Sequence, residues 1–387
     1  MDVMRTDAQY VAHTYQRFPL EIVGGSSSTV LGADGKEYID LGGGIAVNLF
    51  GLNDTPWIEA VSAQLHRFAH CSNLYYAAPV AELAELLCKR TGMSKVFFSN
   101  SGAEANECAI KAARKWVAEH KGAEFYHIIT LQNSFHGRTI ATLTATGQER
   151  YHRDYHPLLP GFLYAQVGDR EGLERLVAEH PCAALMFECV QGEGGVMPIG
   201  QEYADTLREI AEKHELLMIC DEVQLGNGRS GHLYGYEAYG LKPDLVTTAK
   251  GIGGGLPLGA TLFSERVADV FRPGDHGSTF GGNPAVCAGG LSILRRLDDA
   301  LLQGVRERSA YLFRELSGAQ GIRAVTGMGL MIGLLTDKPA RAFAEAALAK
   351  GVLVTTAKDR VRLLPALNIP MEQLKTAVQL LKVCAAE

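Results

Sequence analysis

The chain has 387 residues, 47% of them hydrophobic, which is enough apolar material for two packed domains. Its 37 basic and 43 acidic residues give a net charge of −6. No basic run, and no stripe of alternating basic and aromatic residues, is present to follow a phosphate backbone, so nucleic acid is excluded as an expected partner.

The start of the sequence has no apolar core of a signal peptide, and no stretch approaches the roughly 18 uninterrupted apolar residues of a membrane span. We therefore expect a cytoplasmic protein without membrane contact. The eight cysteines show no Cys-x-x-Cys spacing, and the 12 histidines show no His-Glu-x-x-His. These patterns predict neither disulfides nor a metal site.

The first predicted elements form a β-hairpin over residues 28–40, with Asp34-Gly35 as its turn. We expect residues 1–45 to form an N-terminal segment that packs on a smaller domain farther along the chain.

Short apolar runs then alternate with helical patterns from about residue 95 to 265. Alternation of this kind is typical of an α/β fold with a mostly parallel sheet flanked by helices, and ligands bind at the carboxyl ends of such strands. We assign residues 46–288 to a large ligand-binding domain. The predicted strands are 95–99, 126–131, 183–187, 216–220 and 244–249, with a helix over 103–120.

The pattern changes near residue 289, where longer amphipathic stretches interleave with short strands. This indicates a smaller α+β domain over residues 289–387. Its predicted helices are 292–302, 305–316, 340–349 and 371–383, and its predicted strands are 331–335 and 352–355.

An acid and an amine follow two of the predicted buried strands. Asp221 comes directly after the run 216–220, and Lys250 stands between the run 244–249 and a glycine-rich turn. A lysine amine can form a Schiff base, and a carboxylate can keep a pyridine nitrogen protonated, which are the two protein groups that pyridoxal phosphate chemistry needs. Taken singly, Asp221 could be a helix cap and Lys250 a surface charge.

A phosphate site is predicted where Ser99-Asn-Ser101-Gly102-Ala103-Glu104 joins a strand to a helix, because free N–H groups and the positive helix end face outward there. The alternative is a simple serine cap of the helix.

Eight segments together resemble the class III (subgroup II) aminotransferases of fold type I, and the resemblance covers nearly the whole chain. The segments begin at Tyr38, Phe98, Ser134, Glu188, Cys220, Gly226, Lys250 and Gly277. The resemblance implies a pyridoxal phosphate-dependent transferase fold and a homodimer with its active sites at the subunit interface.

The resemblance also implies roles for individual residues. Lys250 would bind the cofactor covalently and move the substrate proton, and Asp221 would hold the ring nitrogen. The other implied cofactor-binding residues are Ser101, Gly102 and Ala103 at the phosphate, Phe135 and Val223 on the ring faces, Gln224 near the phenolic oxygen, and Thr279 with Ser278 from the partner subunit.

Two arginines suit a substrate with two carboxylates, because a guanidinium binds a carboxylate through two hydrogen bonds. The resemblance places Arg138 and Arg362 in these positions, and it implies that Glu193 pairs with Arg362 until glutamate displaces it. Any one of the three could otherwise belong to a surface ion pair.

The implied reaction moves the terminal amino group of N2-acetyl-L-ornithine to 2-oxoglutarate, giving glutamate, as a step of arginine biosynthesis. Ile45 favours an acylated donor, because the ornithine δ-aminotransferases of the family carry tyrosine there, and Tyr15 is a further candidate for substrate contact. Two departures from the family pattern, at 52–55 and at Leu225, are expected near the active-site surface.

Other donors remain open, namely N-succinylornithine, succinyl-diaminopimelate, free ornithine and 4-aminobutyrate. From another class of protein, a non-catalytic scaffold of the same fold is the remote alternative.

Overall fold

The computed structural model describes residues 2–387. Its α-helices are α1 (Val3–Tyr10), α2 (Gly43–Ala46), α3 (Thr55–Arg67), α4 (Ala78–Thr91), α5 (Gly102–His120), α6 (Ile140–Ala145), α7 (Arg170–Glu179), α8 (Gln201–Lys213), α9 (Pro284–Arg296), α10 (Asp299–Leu316), α11 (Ala340–Ala349) and α12 (Met371–Ala386). Its strands are β1 (Ile22–Ser26), β2 (Thr29–Gly32), β3 (Glu37–Asp40), β4 (Lys95–Ser99), β5 (His127–Leu131), β6 (Phe162–Ala165), β7 (Cys182–Phe187), β8 (Val190–Gln191), β9 (Met197–Pro198), β10 (Leu217–Asp221), β11 (Leu245–Thr248), β12 (Gly259–Phe263), β13 (Ile322–Met328), β14 (Met331–Thr336), β15 (Val352–Leu353), β16 (Thr355–Ala357) and β17 (Arg360–Leu363).

A seven-stranded sheet in the order β4-β12-β11-β10-β7-β5-β6 forms the centre of the molecule. Every neighbouring pair from β11 to β6 is parallel, whereas β12 runs antiparallel to both β11 and β4. The predicted α/β class with a mostly parallel sheet is confirmed. The parallel strands consequently present their carboxyl ends at one edge.

Helices cover both faces of this sheet, which explains why its strands are apolar on successive residues. Along β10, Leu217 and Ile219 belong to a core cluster that contains Trp116 of α5, whereas Met218 and Cys220 belong to the cluster on the other face. Buried packing on both faces fixes the strand register.

The N-terminal hairpin is formed by β2 and β3, as the Asp34-Gly35 turn predicts. Strand β3 also pairs in parallel with β15, far along the chain, and β13, β14, β17 and β16 form a separate antiparallel sheet. The division of the chain at residues 45 and 288 stays a prediction. Over residues 2–387, no helix is both long and apolar enough to cross a membrane.

Two predicted elements near the C-terminus were wrong. The predicted helix 292–302 is broken, because α9 ends at Arg296 and the Asp298 side chain accepts a hydrogen bond from the Leu301 N–H to begin α10. The predicted strand 352–355 is two strands in different sheets, since Val354 separates β15 from β16.

Candidate active site

Three acid or amine side chains lie at the carboxyl ends of neighbouring parallel strands. Glu188 directly follows β7, Asp221 is the last residue of β10, and Lys250 lies two residues after β11. Strand β10 pairs with both others, with Asp221 opposite Thr247. The sheet topology thus brings these three groups to one edge, where ligands of α/β sheets bind.

A cavity of about 600 Å³ opens at this edge. It is large enough for a cofactor and a small substrate. Ten of the predicted site residues line it, namely Tyr15, Ser101, Gly102, Ala103, Phe135, Arg138, Asp221, Val223, Gln224 and Lys250.

Lys250 has an unusual backbone and an unpaired amine. Its φ is 49°, in the left-handed region that non-glycine residues rarely adopt and that clusters at functional sites. Within residues 2–387 its amine has no hydrogen-bond or ion-pair partner. Burial, with repulsion from Arg362, lowers the pKa of Lys250 to about 8. A larger neutral fraction near pH 7 makes this amine a better nucleophile than an ordinary lysine.

The carboxylate of Asp221 is fixed by three donors. Its Oδ1 accepts from the Val223 N–H at 3.0 Å, and its Oδ2 accepts from Asn106 Nδ2 at 2.8 Å and lies 2.8 Å from His136 Nδ1. Because an ionised carboxylate only accepts hydrogen bonds, Nδ1 of His136 carries a proton. Asn106 is oriented in turn by Thr247, whose hydroxyl donates to Asn106 Oδ1 at 2.7 Å. These donors fix the orientation of the Asp221 carboxylate at the edge of the cavity.

The first turn of α5 forms one end of the cavity. Ser101 caps the helix by accepting from the Glu104 N–H at 3.2 Å. A Cβ on Gly102 would come within 2.6 Å of Val223 Cγ1, so only glycine allows the backbone to approach this closely. The N–H groups at the start of this 19-residue helix suit a phosphate.

Arg362 is 2% exposed and forms an ion pair with Glu193 through Nη1. Nη1 also donates to Gln224 Oε1 at 2.9 Å, and Nε donates to Thr355 Oγ1 at 3.2 Å. Burial opposes ionisation of Glu193, but the charge and hydrogen bond of Arg362, together with the charge of Lys250, outweigh it, so the pKa of Glu193 lies below its usual value. The pair does not line the cavity itself but stands directly behind Gln224.

Arg138 is exposed at the cavity and contacts aromatic rings. Its guanidinium carbon lies 5.4 Å from the centre of the Phe135 ring and 4.3 Å from that of Tyr151. Phe135 is held by its N–H, which donates to Glu188 Oε1 at 2.9 Å.

The remaining predicted residues lie outside the cavity wall. Ile45 is 42% exposed, with a φ of 62°, two residues before Val47, which does line the cavity. Ser278 accepts a hydrogen bond from Asn100 of its own chain at 3.2 Å, and Thr279 is exposed. A single chain thus leaves Thr279 away from the cavity.

The two departures from the family pattern are structural. Leu52 forms a β-bridge with Ser27, and Asp54 binds Arg296 through both carboxylate oxygens. Leu225 is 2% exposed and packs in the core. The expectation that both lie near the active-site surface was wrong for Leu225, because its side chain points into apolar packing behind the cavity wall.

Three further residues at the site were missed as site residues, namely Asn106, His136 and Glu188. Burial, with repulsion from Asp221, raises the pKa of Glu188 well above its usual value. All three lie inside the segments that carry the family resemblance, so those segments could have indicated them as site residues. They gave no indication of which residues touch Asp221.

A buried group of Cys189, Cys220 and Glu222 lies beneath the site, with the two sulfurs 3.7 Å apart. Burial raises the pKa of both thiols, which works against the thiolates that a metal ion needs. The predicted absence of a metal site stays a prediction.

The residues fit pyridoxal phosphate. The helix start at Ser101 to Ala103 suits its phosphate, the unpaired Lys250 its aldehyde, and the fixed carboxylate of Asp221 its ring nitrogen. Phe135 and Val223 supply apolar surfaces for a flat ring.

Comparison with known proteins agrees with this geometry. The family model described as aminotransferase class-III matches residues 10–384. Acetylornithine aminotransferase of Haemophilus ducreyi is 42% identical, covering 98% of this chain and 97% of its own length, and that of Caldanaerobacter subterraneus is 44% identical, covering 97% of both.

Solved structures give the same family. N-acetylornithine aminotransferase from Stenotrophomonas maltophilia superposes with a TM-score of 0.85 at 33% identity, covering 99% of this chain and 98% of that one. Ornithine aminotransferase from Toxoplasma gondii has a TM-score of 0.94 at 29% identity, with coverage of 100% and 94%.

Proposed function

The chain belongs to the class-III aminotransferases, and from this premise we propose that it transfers the terminal amino group of N2-acetyl-L-ornithine to 2-oxoglutarate. The products are N-acetylglutamate 5-semialdehyde and glutamate, and the reaction is a step of arginine biosynthesis. The cofactor is pyridoxal phosphate, whose electron-poor ring stabilises negative charge on the substrate carbon.

We assign the cofactor-binding groups as the sequence predicts. Ser101, Gly102 and Ala103 hold the phosphate at the start of α5, and Asp221 keeps the ring nitrogen protonated. Phe135 and Val223 cover the ring faces, with Gln224 beside them.

Lys250 has two tasks in this proposal. Its neutral amine would hold the cofactor, and, once the substrate amine has displaced it, the same amine would move a proton from the substrate carbon to the aldehyde carbon of the cofactor. A pKa of about 8 suits both steps, because a general base works best when its pKa is near the working pH.

The Arg362–Glu193 pair is the observation that carries the choice of a terminal amine as donor. Such a donor presents no carboxylate to Arg362, and a buried guanidinium without a partner would be costly. Glu193 supplies that partner and leaves when the α-carboxylate of glutamate arrives. Arg138 binds the donor carboxylate in the first half-reaction and the side-chain carboxylate of glutamate in the second.

Free ornithine is the second candidate donor, because the Toxoplasma ornithine enzyme superposes more closely than the Stenotrophomonas acetylornithine enzyme. A TM-score compares backbone positions over the whole chain, whereas donor choice depends on side chains at the cavity. The higher sequence identity to acetylornithine enzymes and the aliphatic Ile45 favour the acylated donor. The succinylated donors and 4-aminobutyrate stay alternatives, and the cytoplasmic location stays a prediction.

The proposed homodimer is supported by one exposed apolar surface. Leu74, Tyr75 and Tyr76 are 87%, 72% and 107% exposed, and Phe280 is 62% exposed. The Asn73 side chain donates to backbone carbonyls on either side of Thr279, so these residues form a continuous surface. Exposed patches of this kind mark protein interfaces.

Hybrid dimers test this arrangement. In our proposal each active site combines Lys250 of one subunit with Thr279 of the other. When equal amounts of Lys250→Ala and Thr279→Val subunits pair at random, about half of the dimers are hybrids, and each hybrid has one intact site of two. The mixture should then regain about a quarter of wild-type activity. If the hybrid dimer forms but shows no recovered activity, the proposal of a shared site is refuted.

The reaction itself is tested by product identification. Glutamate and the acylated semialdehyde should accumulate beyond one equivalent per active site only when N-acetylornithine and 2-oxoglutarate are both present, and Lys250→Ala should form neither. Full turnover by Lys250→Ala, or turnover without 2-oxoglutarate, would overturn the assignment.

A further inference from the structure

Arg138 is held at the cavity without an anionic partner. In the described part of the chain, residues 2–387, its side chain has no hydrogen bond and no ion pair, although its guanidinium faces the cavity. Its contacts are with the rings of Phe135 and Tyr151. This differs from Arg362, which has a carboxylate partner that must leave.

Tyr151 is the nearer of the two rings, with its centre 4.3 Å from the guanidinium carbon of Arg138. It stands edge-to-face with Phe135 at 5.6 Å and 69°. A second arginine, Arg150, lies 4.6 Å from the same ring centre and donates to the Tyr151 hydroxyl at 2.8 Å. Tyr151 is thus fixed from two sides, by Phe135 and by Arg150.

An aromatic ring can orient a guanidinium without using its hydrogen-bond donors. The ring attracts the cation through its face, so the N–H groups at the edge of the guanidinium stay free for a carboxylate. A carboxylate partner would instead compete with the substrate for those N–H groups. The ring also restricts an otherwise flexible side chain, which reduces the entropy lost when substrate binds.

We propose that Tyr151 is a positioning residue that presents Arg138 to the substrate carboxylate and so sets the preference for carboxylate-bearing substrates. The inference rests on the proposed function, because it takes Arg138 as the arginine that binds the donor carboxylate. Tyr151 acts through Arg138 and touches no reacting atom.

Steady-state kinetics with two matched donors test the proposal. N-acetylornithine carries the carboxylate, and N-acetyl-1,4-diaminobutane is the same molecule without it. Tyr151→Leu in the holoenzyme should raise KM for N-acetylornithine about five-fold with kcat little changed, the size expected when one exposed cation–π contact is lost. KM for the decarboxylated analogue should not change. Tyr151→Phe keeps the ring and should restore the wild-type KM for N-acetylornithine.

Two controls separate positioning from a general structural effect. Tyr155→Leu removes a 55% exposed tyrosine of the same loop and should leave both KM values unchanged. In an Arg138→Leu background, Tyr151→Leu should add no further rise in KM. An equal effect on both donors, or no effect on N-acetylornithine, overturns the role of Tyr151.

The glutamate half-reaction makes the test independent of the donor assignment. If the wild-type protein fails to use N-acetylornithine, the proposed substrate is wrong. The role of Tyr151 is then decided by KM for glutamate, whose side-chain carboxylate also binds Arg138 in the proposal. Tyr151→Leu should raise this KM, and Tyr151→Phe should restore it.

Discussion

Replacing Glu193 with glutamine should destabilise the protein by about 2 kcal/mol at pH 7. Removing one member of a buried ion pair commonly costs about 3–5 kcal/mol, because the other charge is left uncompensated. Arg362 is only 2% exposed, which puts this pair in that class.

Three features reduce the expected loss from the upper range. Arg362 keeps Gln224 and Thr355 as hydrogen-bond acceptors in the variant. The glutamine amide oxygen can also accept from Arg362 in place of the carboxylate. The side chain of Glu193 is 22% exposed, so part of its charge is already screened by water.

The loss should depend on pH with a definite sign. The pKa of Glu193 lies below 4.5 in the folded protein, so its contribution is fully present above the unfolded value and disappears as pH falls through the folded one. The difference in the free energy of unfolding between wild type and Glu193→Gln should therefore be constant from pH 6 to 8 and should shrink below about pH 4.5.

Denaturant unfolding of the cofactor-free proteins measures this difference. Glu85→Gln is the control, because Glu85 pairs with Lys89 in an exposed pair and its loss should stay within about 0.5 kcal/mol. If Glu193→Gln were as mild as this control at pH 7, or equally destabilising at pH 4, the account of a buried pair that holds Arg362 would be wrong.

Three further predictions concern the site. The rate at which cofactor-free protein takes up pyridoxal phosphate should rise with pH and level off above about pH 8, because the pKa of Lys250 is lowered from 10.5 to about 8. This lowered pKa leaves roughly 300-fold more neutral amine at pH 7 than an ordinary lysine has. A rate that still rose up to pH 10 would contradict the lowered pKa of Lys250. His136→Leu should weaken cofactor binding about ten-fold, because it removes a hydrogen-bond donor to Asp221, and His136→Asn should recover part of the lost affinity. His152→Leu, at another buried histidine, should not alter cofactor affinity. Equal losses of affinity in all three variants would show a packing effect instead. Ile45→Tyr should raise turnover of free ornithine relative to N-acetylornithine, and an unchanged ratio would remove Ile45 from donor choice.

The edge of the sheet that carries the site could be predicted because the strands that lead to it are short and largely apolar. Asp221 ends one such strand and Lys250 lies two residues after its neighbour, so local sequence was enough to predict that they lie close together. The groups that hold Asp221 could not be derived in this way. Asn106 and His136 stand 115 and 85 positions away in the chain, and only tertiary packing decides which polar side chains meet a carboxylate.

Predicted element boundaries were wrong in two places where the hydrophobic pattern did not show the end of a helix or strand. The pattern of apolar residues continues through Leu297, so the break between α9 and α10 depends on one aspartate cap rather than on hydrophobic periodicity. At Val354 the chain changes from one sheet to another without any glycine or proline to signal it.

The most direct test of the proposed reaction is a single turnover of the cofactor-loaded protein with N-acetylornithine, free ornithine and 4-aminobutyrate side by side, followed through the absorbance of the bound cofactor. We expect rapid conversion by N-acetylornithine, slow conversion by the other two donors, and recovery of the starting absorbance when 2-oxoglutarate is added. Faster conversion by free ornithine or 4-aminobutyrate would leave Lys250 and Asp221 in their roles but contradict the proposed donor.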